Sequence, residues 1–379
     1  MKLRALSCLA VLGSQLLCAP LLQAQQSGLP LPTAPLATAP FTTAQITTAP
    51  LPRLPAALLD VKAPSVRVAG APGSMQIIER SCASAPLDAE LRRRIVATAA
   101  QEWAFFGFQV DDQRGTAPQA GQSSSSQNNN AQNKSAQNNN APRRFALLDP
   151  AEGARVADSV GGYWAAAPGS DWILARQNDA WKSPNGLASR YRDPWSAAFI
   201  SWVMCESGLG EAGKFQRAIA HHTYIDQAIR ARDGKAGEAA YIAYDPGEAP
   251  INPGDMLCNG LRPMYRNLAQ RRAQLGEGAR THCDIVVLVN ESAGQILTIG
   301  GNVRSSVRMK IYPAAPRASG NLAPLPTART IFAHLKLRTD SIEPDALHHS
   351  PTLRSMACTM PAAPATFASA KLELPAHDC

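Results

Sequence analysis

The chain has 379 residues and a formal net charge of +8 at pH 7, with eight cysteines and seven histidines. The positive charge invites an acidic partner, but no segment resembles an RNA- or DNA-binding motif, so no nucleic-acid partner is expected. No two cysteines form a CxxC, and His221 and His222 are adjacent rather than one helical turn apart, so no metal site is expected, and no motif asks for a cofactor.

Lys2 and Arg4 precede an apolar run, Ala5 to Leu22, that gives way to Gln23-Ala24-Gln25-Gln26. This is the pattern of an export signal with a small residue, Ala24, at the cleavage position, so residues 1–24 are read as a signal peptide. The run is short for a membrane span, and no later segment is long and uncharged, so an integral membrane protein is not expected. Cys18 would suit a lipoprotein, but Leu17 before it is bulky for the usual small-residue position; a cleaved, periplasmic or secreted protein ranks first. For such a protein the positive charge reads as affinity for an anionic cell wall or as a solvated surface. Six cysteines remain after cleavage, Cys82, Cys205, Cys258, Cys283, Cys358 and Cys379. An oxidising compartment permits disulfides among them, with the pairing open.

Residues 25–74 are rich in Pro, Ala and Thr and read as an extended tether. The folded domain is expected over residues 75–340. Its first helix has Pro86 and Asp88 at the start, Leu91, Ile95, Ala99, Trp103 and Phe106 at helical spacing, and Gly107 at the end. Residues 112–143, with a run of serines and two Asn-Asn-Asn runs, read as a disordered insertion. Helices follow over Ala151 to Trp164, from Asp193, and over Gly213 to Arg232. The period then changes to that of strands at Asp284 to Val289, Ile296 to Ile299, Val307 to Ile311 and Ile331 to Leu337. Helices followed by a meander of strands indicate an α+β domain. Residues 341–379 are Pro- and Ala-rich and read as a tail.

The segment most informative for chemistry is Asp193-Pro194-Trp195-Ser196-Ala197-Ala198-Phe199-Ile200-Ser201-Trp202. Asp193 can cap a helix and Pro194 suits its first position, which puts Ser196 in the first turn. Unpaired backbone N–H groups and the positive end of the helix dipole favour negative charge there, as a nucleophile and its oxyanion require. On spacing alone, an amphipathic core helix with a serine near its start is the better reading. Pro253-Gly254-Asp255 then turns into a strand, His282-Cys283-Asp284-Ile285-Val286 heads the next, and Gly300-Gly301-Asn302-Val303 ends the one after. The chain order is therefore Ser196, His282, Asn302.

The blocks WSAAFISWV, PGDML, HCDIVVLV and IGGNV resemble, in order, the signature of the CHAP and NlpC papain-like peptidases and amidases. The helix end Gln101-Glu102-Trp103-Ala104-Phe105-Phe106-Gly107, the Tyr163-Trp164 pair and the PWSAAFISW block are similar to the bacterial family known as domain of unknown function 2272. The resemblance implies a papain-like domain in which N-terminal helices pack on an antiparallel, partly barrel-like sheet. It places Ser196 where that superfamily carries its cysteine nucleophile, Gly300 where many members have a glutamate, and Asp284 where a glycine is usual. Without a thiol of low pKa, Ser196 needs His282 to remove its proton during attack. Asn302 is the expected orienting partner of His282. Asp284 shares the histidine's face, but same-face strand neighbours are about 7 Å apart, so it is assigned to the substrate side with Trp195, Glu102 and His222. His221 and His222 lie about 100° apart on a helix, so at most one faces the groove. A Cys258–Cys283 bridge, or a pair of buried thiols, is preferred to catalysis by any cysteine. The expectation is thus an envelope hydrolase of amide bonds, acting on peptidoglycan or its peptides. The alternative is a catalytically inactive module of the same shape that binds cell-wall peptides or a protein partner.

Overall fold

The computed structural model describes residues 50–55, 58, 61–114, 149–189, 191–359, 363–364, 367–368 and 372. The expected signal peptide, the first half of the tether and residues 115–143 of the insertion lie outside the described residues. Helix α1 (Ala89–Phe105) starts where Asp88 accepts the Leu91 N–H, and the chain leaves it through Gly107 at φ +81°. Helix α2 (Pro150–Ala166) is capped by Asp149, whose carboxylate accepts from the Ala151 and Glu152 N–H groups. Helices α3 (Asp171–Trp181), α4 (Ser196–Ser207) and α5 (His221–Arg232) complete the helical layer, and every residue of α4 is buried.

Strands β1 (Val68–Ala69) and β2 (Gln76–Ile77) form a small ribbon. The main sheet contains β3 (Val110–Asp112), β4 (Tyr241–Tyr244), β5 (Met256–Arg262), β6 (Arg280–Asn290), β7 (Gln295–Val303), β8 (Ser306–Pro316) and β10 (Ile331–Leu337) in the order β3-β8-β7-β6-β5-β10-β4. A short β9 (Leu322–Pro324) is added onto β8. All its pairings are antiparallel except that of β3 with β8. The fold is therefore α+β with a mostly antiparallel sheet, but the sheet is open: β3 and β4 are its edges, and among the described residues no hydrogen bonds close it, unlike the partly barrel-like sheet expected. Two short helices, α6 (Leu268–Arg272) and α7 (Pro351–Thr359), lie in the second half. Among the described residues, no helix is long and apolar enough to cross a membrane.

Strand β6 is buried on both faces. Ile285 and Val287 join the main core with Ile95, Trp103 and Phe199, while Val286 and Val289 join a smaller cluster with Leu257 and Ile296. This explains why HCDIVVLV reads as a continuous apolar run rather than an alternating one.

Both expected boundaries move outward. From residue 50 the supposed tether packs onto the domain: the Leu51 N–H donates to Ala104 O at 3.2 Å, and the Leu54 N–H to Gln101 Oε1 at 3.0 Å. A short 3-10 helix, Pro64–Arg67, comes so close to α2 that a Cβ on Gly162 would lie 1.8 Å from Pro64 O. Proline-rich composition masked the leucines and arginines that anchor the segment. The expected tail is also part of the domain, with Ile342, Leu347, Leu353 and Met356 in the main core and Phe367 stacked on Trp103 at 5.5 Å. Disulfides join Cys82 to Cys205 and Cys258 to Cys283, and Cys358 is also disulfide-bonded.

The Pro-Gly-Asp turn has a structural task. Asp255 and Arg92 are both fully buried and paired at 2.7 Å. Arg92 also donates to Pro253 O and Leu337 O, and Asp255 accepts from His334 Nε2 and the Leu337 N–H, so one ion pair ties α1 to β5 and β10. Removing one partner of such a pair strands the other charge in the core, at a cost of about 3–5 kcal/mol. Arg92→Met should lower the unfolding free energy by roughly that amount in chemical denaturation; a loss below about 1 kcal/mol would show that the pair does not organise the fold.

Candidate active site

Helix α4 begins at Ser196, two residues later than expected. Trp195 is its N-cap, with no side chain capping the helix, and Asp193 instead faces Arg176 at 3.6 Å. The first helical bond runs from the Phe199 N–H to Trp195 O, so among the described residues the N–H groups of Ser196, Ala197 and Ala198 have no partner. Trp195 is fully buried, stacked on Phe106 and Tyr163, which removes it from any direct role against a ligand.

Ser196 Oγ lies 2.7 Å from Nε2 of His221, not from the expected His282. The roles in this bond follow from the other ring nitrogen. The backbone N–H of Cys283 points at His221 Nδ1 at 3.1 Å, and a backbone N–H can only donate. Nδ1 therefore carries the lone pair, which the Tyr224 hydroxyl also meets. Burial, reinforced by the neighbouring His282, lowers the pKa of His221 well below the usual imidazole value, so the ring is neutral. Its one proton is then on Nε2, and His221 donates to Ser196 Oγ. The serine proton is left to point elsewhere. His221 starts α5 and Tyr224 follows one turn later on the same face; that i,i+3 pair is the sequence signal that distinguishes it from His222. His222 is turned away, its Nδ1 3.0 Å from Ala279 O.

His282 is held by Asp284. Nε2 lies 2.8 Å from Asp284 Oδ1, and Lys310 Nζ from β8 reaches both carboxylate oxygens at 2.8 and 3.0 Å. The separation of strand neighbours argued against this contact, but the two side chains lean toward each other over Gly300 of β7. A Cβ at Gly300 would sit 1.8 Å from Asp284 Oδ1, so only glycine leaves room for the carboxylate. Asp284 is fully buried beneath His282 and is not open to a ligand. Asn302, at φ +57°, lines the cleft but makes no hydrogen bond to His282. Glu102 is remote from this chemistry: it is fully buried in an ion pair with Arg53, Nη2 to Oε2 2.7 Å, and accepts from the Tyr163 hydroxyl.

Ser196 and His282, 8% and 7% exposed, open together into a cleft of about 550 Å³ that Asn259, Asn302, Lys310 and Arg329 also line. The His221 ring joins them, bonded to Ser196 and 5.1 Å from the His282 ring. Burial pushes the Asp284 carboxyl up, but His282 and Lys310 outweigh that and hold it below the ordinary carboxylate range. Burial lowers the His282 pKa, and Asp284 offsets this only in part. The stable arrangement near neutrality is thus an ionised Asp284, paired with Lys310, and a neutral His282 whose Nε2–H donates to the carboxylate. Its Nδ1 is then the basic nitrogen. Among the described residues, no group of three His, Cys, Asp or Glu side chains is arranged to hold a metal ion.

A family profile described as an uncharacterized protein conserved in bacteria, domain of unknown function 2272, matches residues 152–331, which include Ser196, His221, His282 and Asp284. No curated protein and no solved structure matches the chain.

The buried histidines make stability depend on pH. Both have folded pKa values below that of a free imidazole, near 6.5. The unfolded chain therefore binds more protons as the pH falls through that value, and folded stability falls with it, by up to about 1.4 kcal/mol per pH unit for each such proton. Asp284 adds a further loss near pH 4 and below, where its unfolded carboxyl is protonated first. The melting temperature should decline from pH 7 to pH 5, more steeply than in His221→Asn; an unchanged melting temperature over this range would contradict neutral buried imidazoles.

Proposed function

We propose that this chain is an exported hydrolase of amide bonds in cell-wall peptides, with a papain-like arrangement in which serine replaces cysteine. The observation that carries the reading is that His221 donates to the Ser196 oxygen, which leaves the serine proton to point elsewhere, while His282, with Nδ1 as its basic nitrogen, lines the same cleft. Ser196 is the nucleophile and His282 the base. Asp284, rather than the expected Asn302, orients His282 and stabilises the imidazolium that forms. The unpaired N–H groups at the start of α4 supply donors for the oxyanion. His282 then returns the proton to the leaving amine, and water releases the acyl group from Ser196 by the same proton path.

Two departures from the CHAP and NlpC pattern support this as a pair. Asp284 stands where those proteins usually carry glycine, and Gly300 where many carry glutamate. The two positions face each other across β6 and β7, since Ile285 pairs with Ile299. The carboxylate has moved from one strand to its neighbour, and the glycine has moved the other way to make room. A carboxylate beside the histidine is a stronger stabiliser of imidazolium than an amide, which a hydroxyl nucleophile needs more than a thiol does.

Mature protein incubated with purified peptidoglycan should release peptides detectable by mass spectrometry. Ser196→Ala and His282→Ala should each lower the rate about 10³-fold or more, whereas His221→Ala, which loses only the positioning of the hydroxyl, should cost about 10²-fold or less. Undiminished release by Ser196→Ala removes the mechanism, and no release by the wild type favours the binding-only reading.

A further inference from the structure

The cleft has charged walls, and nearly every charge in them is paired. Asp111 faces Arg304 at 3.4 Å, Asp112 binds Arg114, and Lys310 binds Asp284. Arg329 is the exception: it is exposed at the cleft, and its guanidinium has no ion-pair or hydrogen-bond partner among the described residues. Its backbone is nonetheless pinned. Thr327, itself buried, donates its hydroxyl to Arg329 O at 3.0 Å and accepts from the Arg329 N–H at 3.5 Å. Arg329 is also close enough for its charge to be felt at His282.

A second observation lies deeper. Asn259 on β5 sits directly opposite His282 in the strand register and lines the cleft. It is 1% exposed, and its Oδ1 has no hydrogen-bond partner. Buried amides are rarely left unsatisfied, and one beside a reactive pair calls for an explanation. A side-chain amide presents both an acceptor and a donor, which matches a peptide group.

We propose that the cleft selects peptides bearing a free carboxylate, with Arg329 binding the carboxylate and Asn259 meeting a backbone amide of the same ligand. The proposal rests on the reading of this cleft as a substrate site. The planar fork of arginine fits a carboxylate bidentately. With Asp111 and Asp112 already paired to Arg304 and Arg114, Arg329 is, among the described residues, the one cation of the cleft wall left for a ligand, so the recognition is of a single carboxylate rather than of an extended negative polymer. Arg329 is a specificity residue, and the reaction steps do not pass through it.

The test uses the full mature chain carrying Ser196→Ala, so that binding is read without turnover. The probe is the pool of soluble muropeptides released by lysozyme, compared with the same pool after its carboxyl groups are converted to methylamides. Retention on immobilised protein, quantified by mass spectrometry, should favour the native pool by about ten- to hundredfold, the range for a charge-assisted hydrogen bond. Arg329→Met should erase the preference and Arg329→Lys should keep part of it, while Asn259→Ser should weaken both pools alike. Equal retention of the two pools, a preference that survives Arg329→Met, or retention of neither pool would overturn the proposal. A wild-type protein that shows the Arg329-dependent preference yet never cleaves the peptides would leave this inference standing and remove the hydrolase reading.

Discussion

The buried carboxylate of Asp284 is the constraint on which the site depends. A carboxylate taken out of water needs compensation, and here Lys310 supplies the charge and His282 a hydrogen bond. Three strands are committed to that single group: β6 carries it with His282, β7 yields space at Gly300, and β8 sends Lys310 across. The same strand β6 offers the Cys283 N–H that fixes His221, and β6 is bridged to β5 through Cys258–Cys283 next to it. The positions of both imidazoles are therefore consequences of how β6 is held.

His221 and His282 are neutral rings with different tasks, and the difference comes from what each second nitrogen touches. A backbone N–H at Nδ1 makes His221 a donor toward Ser196. A carboxylate at Nε2 makes His282 a base at its opposite nitrogen. Had the closest histidine simply been taken as the base, the proton would be sent to a nitrogen that already holds one. In the proposed mechanism the histidine nearest Ser196 is thus not the one that takes its proton, and only the complete set of hydrogen-bond partners distinguishes the two rings.

Much of the fold was legible because periodicity and caps are local. Asp88 marks a helix start, and the apolar run after His282 is a strand buried on both faces. The boundaries were not legible, since proline-rich composition outweighed the few side chains, such as Leu51, Arg53 and Phe367, that dock the ends. In the candidate site, motif order and the family resemblance single out Ser196 and His282, and both line one cleft. The partners did not follow. Backbone spacing argues against an Asp284–His282 contact because it ignores how far a carboxylate and an imidazole lean when the facing residue is glycine. Glu102 and Trp195 sit beside informative motifs but are committed to the core, a distinction of burial that sequence neighbourhood does not carry. For His221 the one local signal is its i,i+3 spacing to Tyr224; that the start of α5 meets β6 is a tertiary contact which the sequence does not carry.

The division of labour between the two histidines is the central claim, and their tautomers report it directly. Nitrogen-15 NMR of protein labelled at histidine, with His221 and His282 assigned by single substitution, gives the protonation of each ring nitrogen at pH 7. The account predicts both rings neutral, each with its proton on Nε2, and the Nδ1 of His282 unprotonated. A proton on Nδ1 of His221, or a charged His282 at that pH, would contradict it, because His221 would then be the base facing Ser196 or His282 would have no lone pair to accept the serine proton.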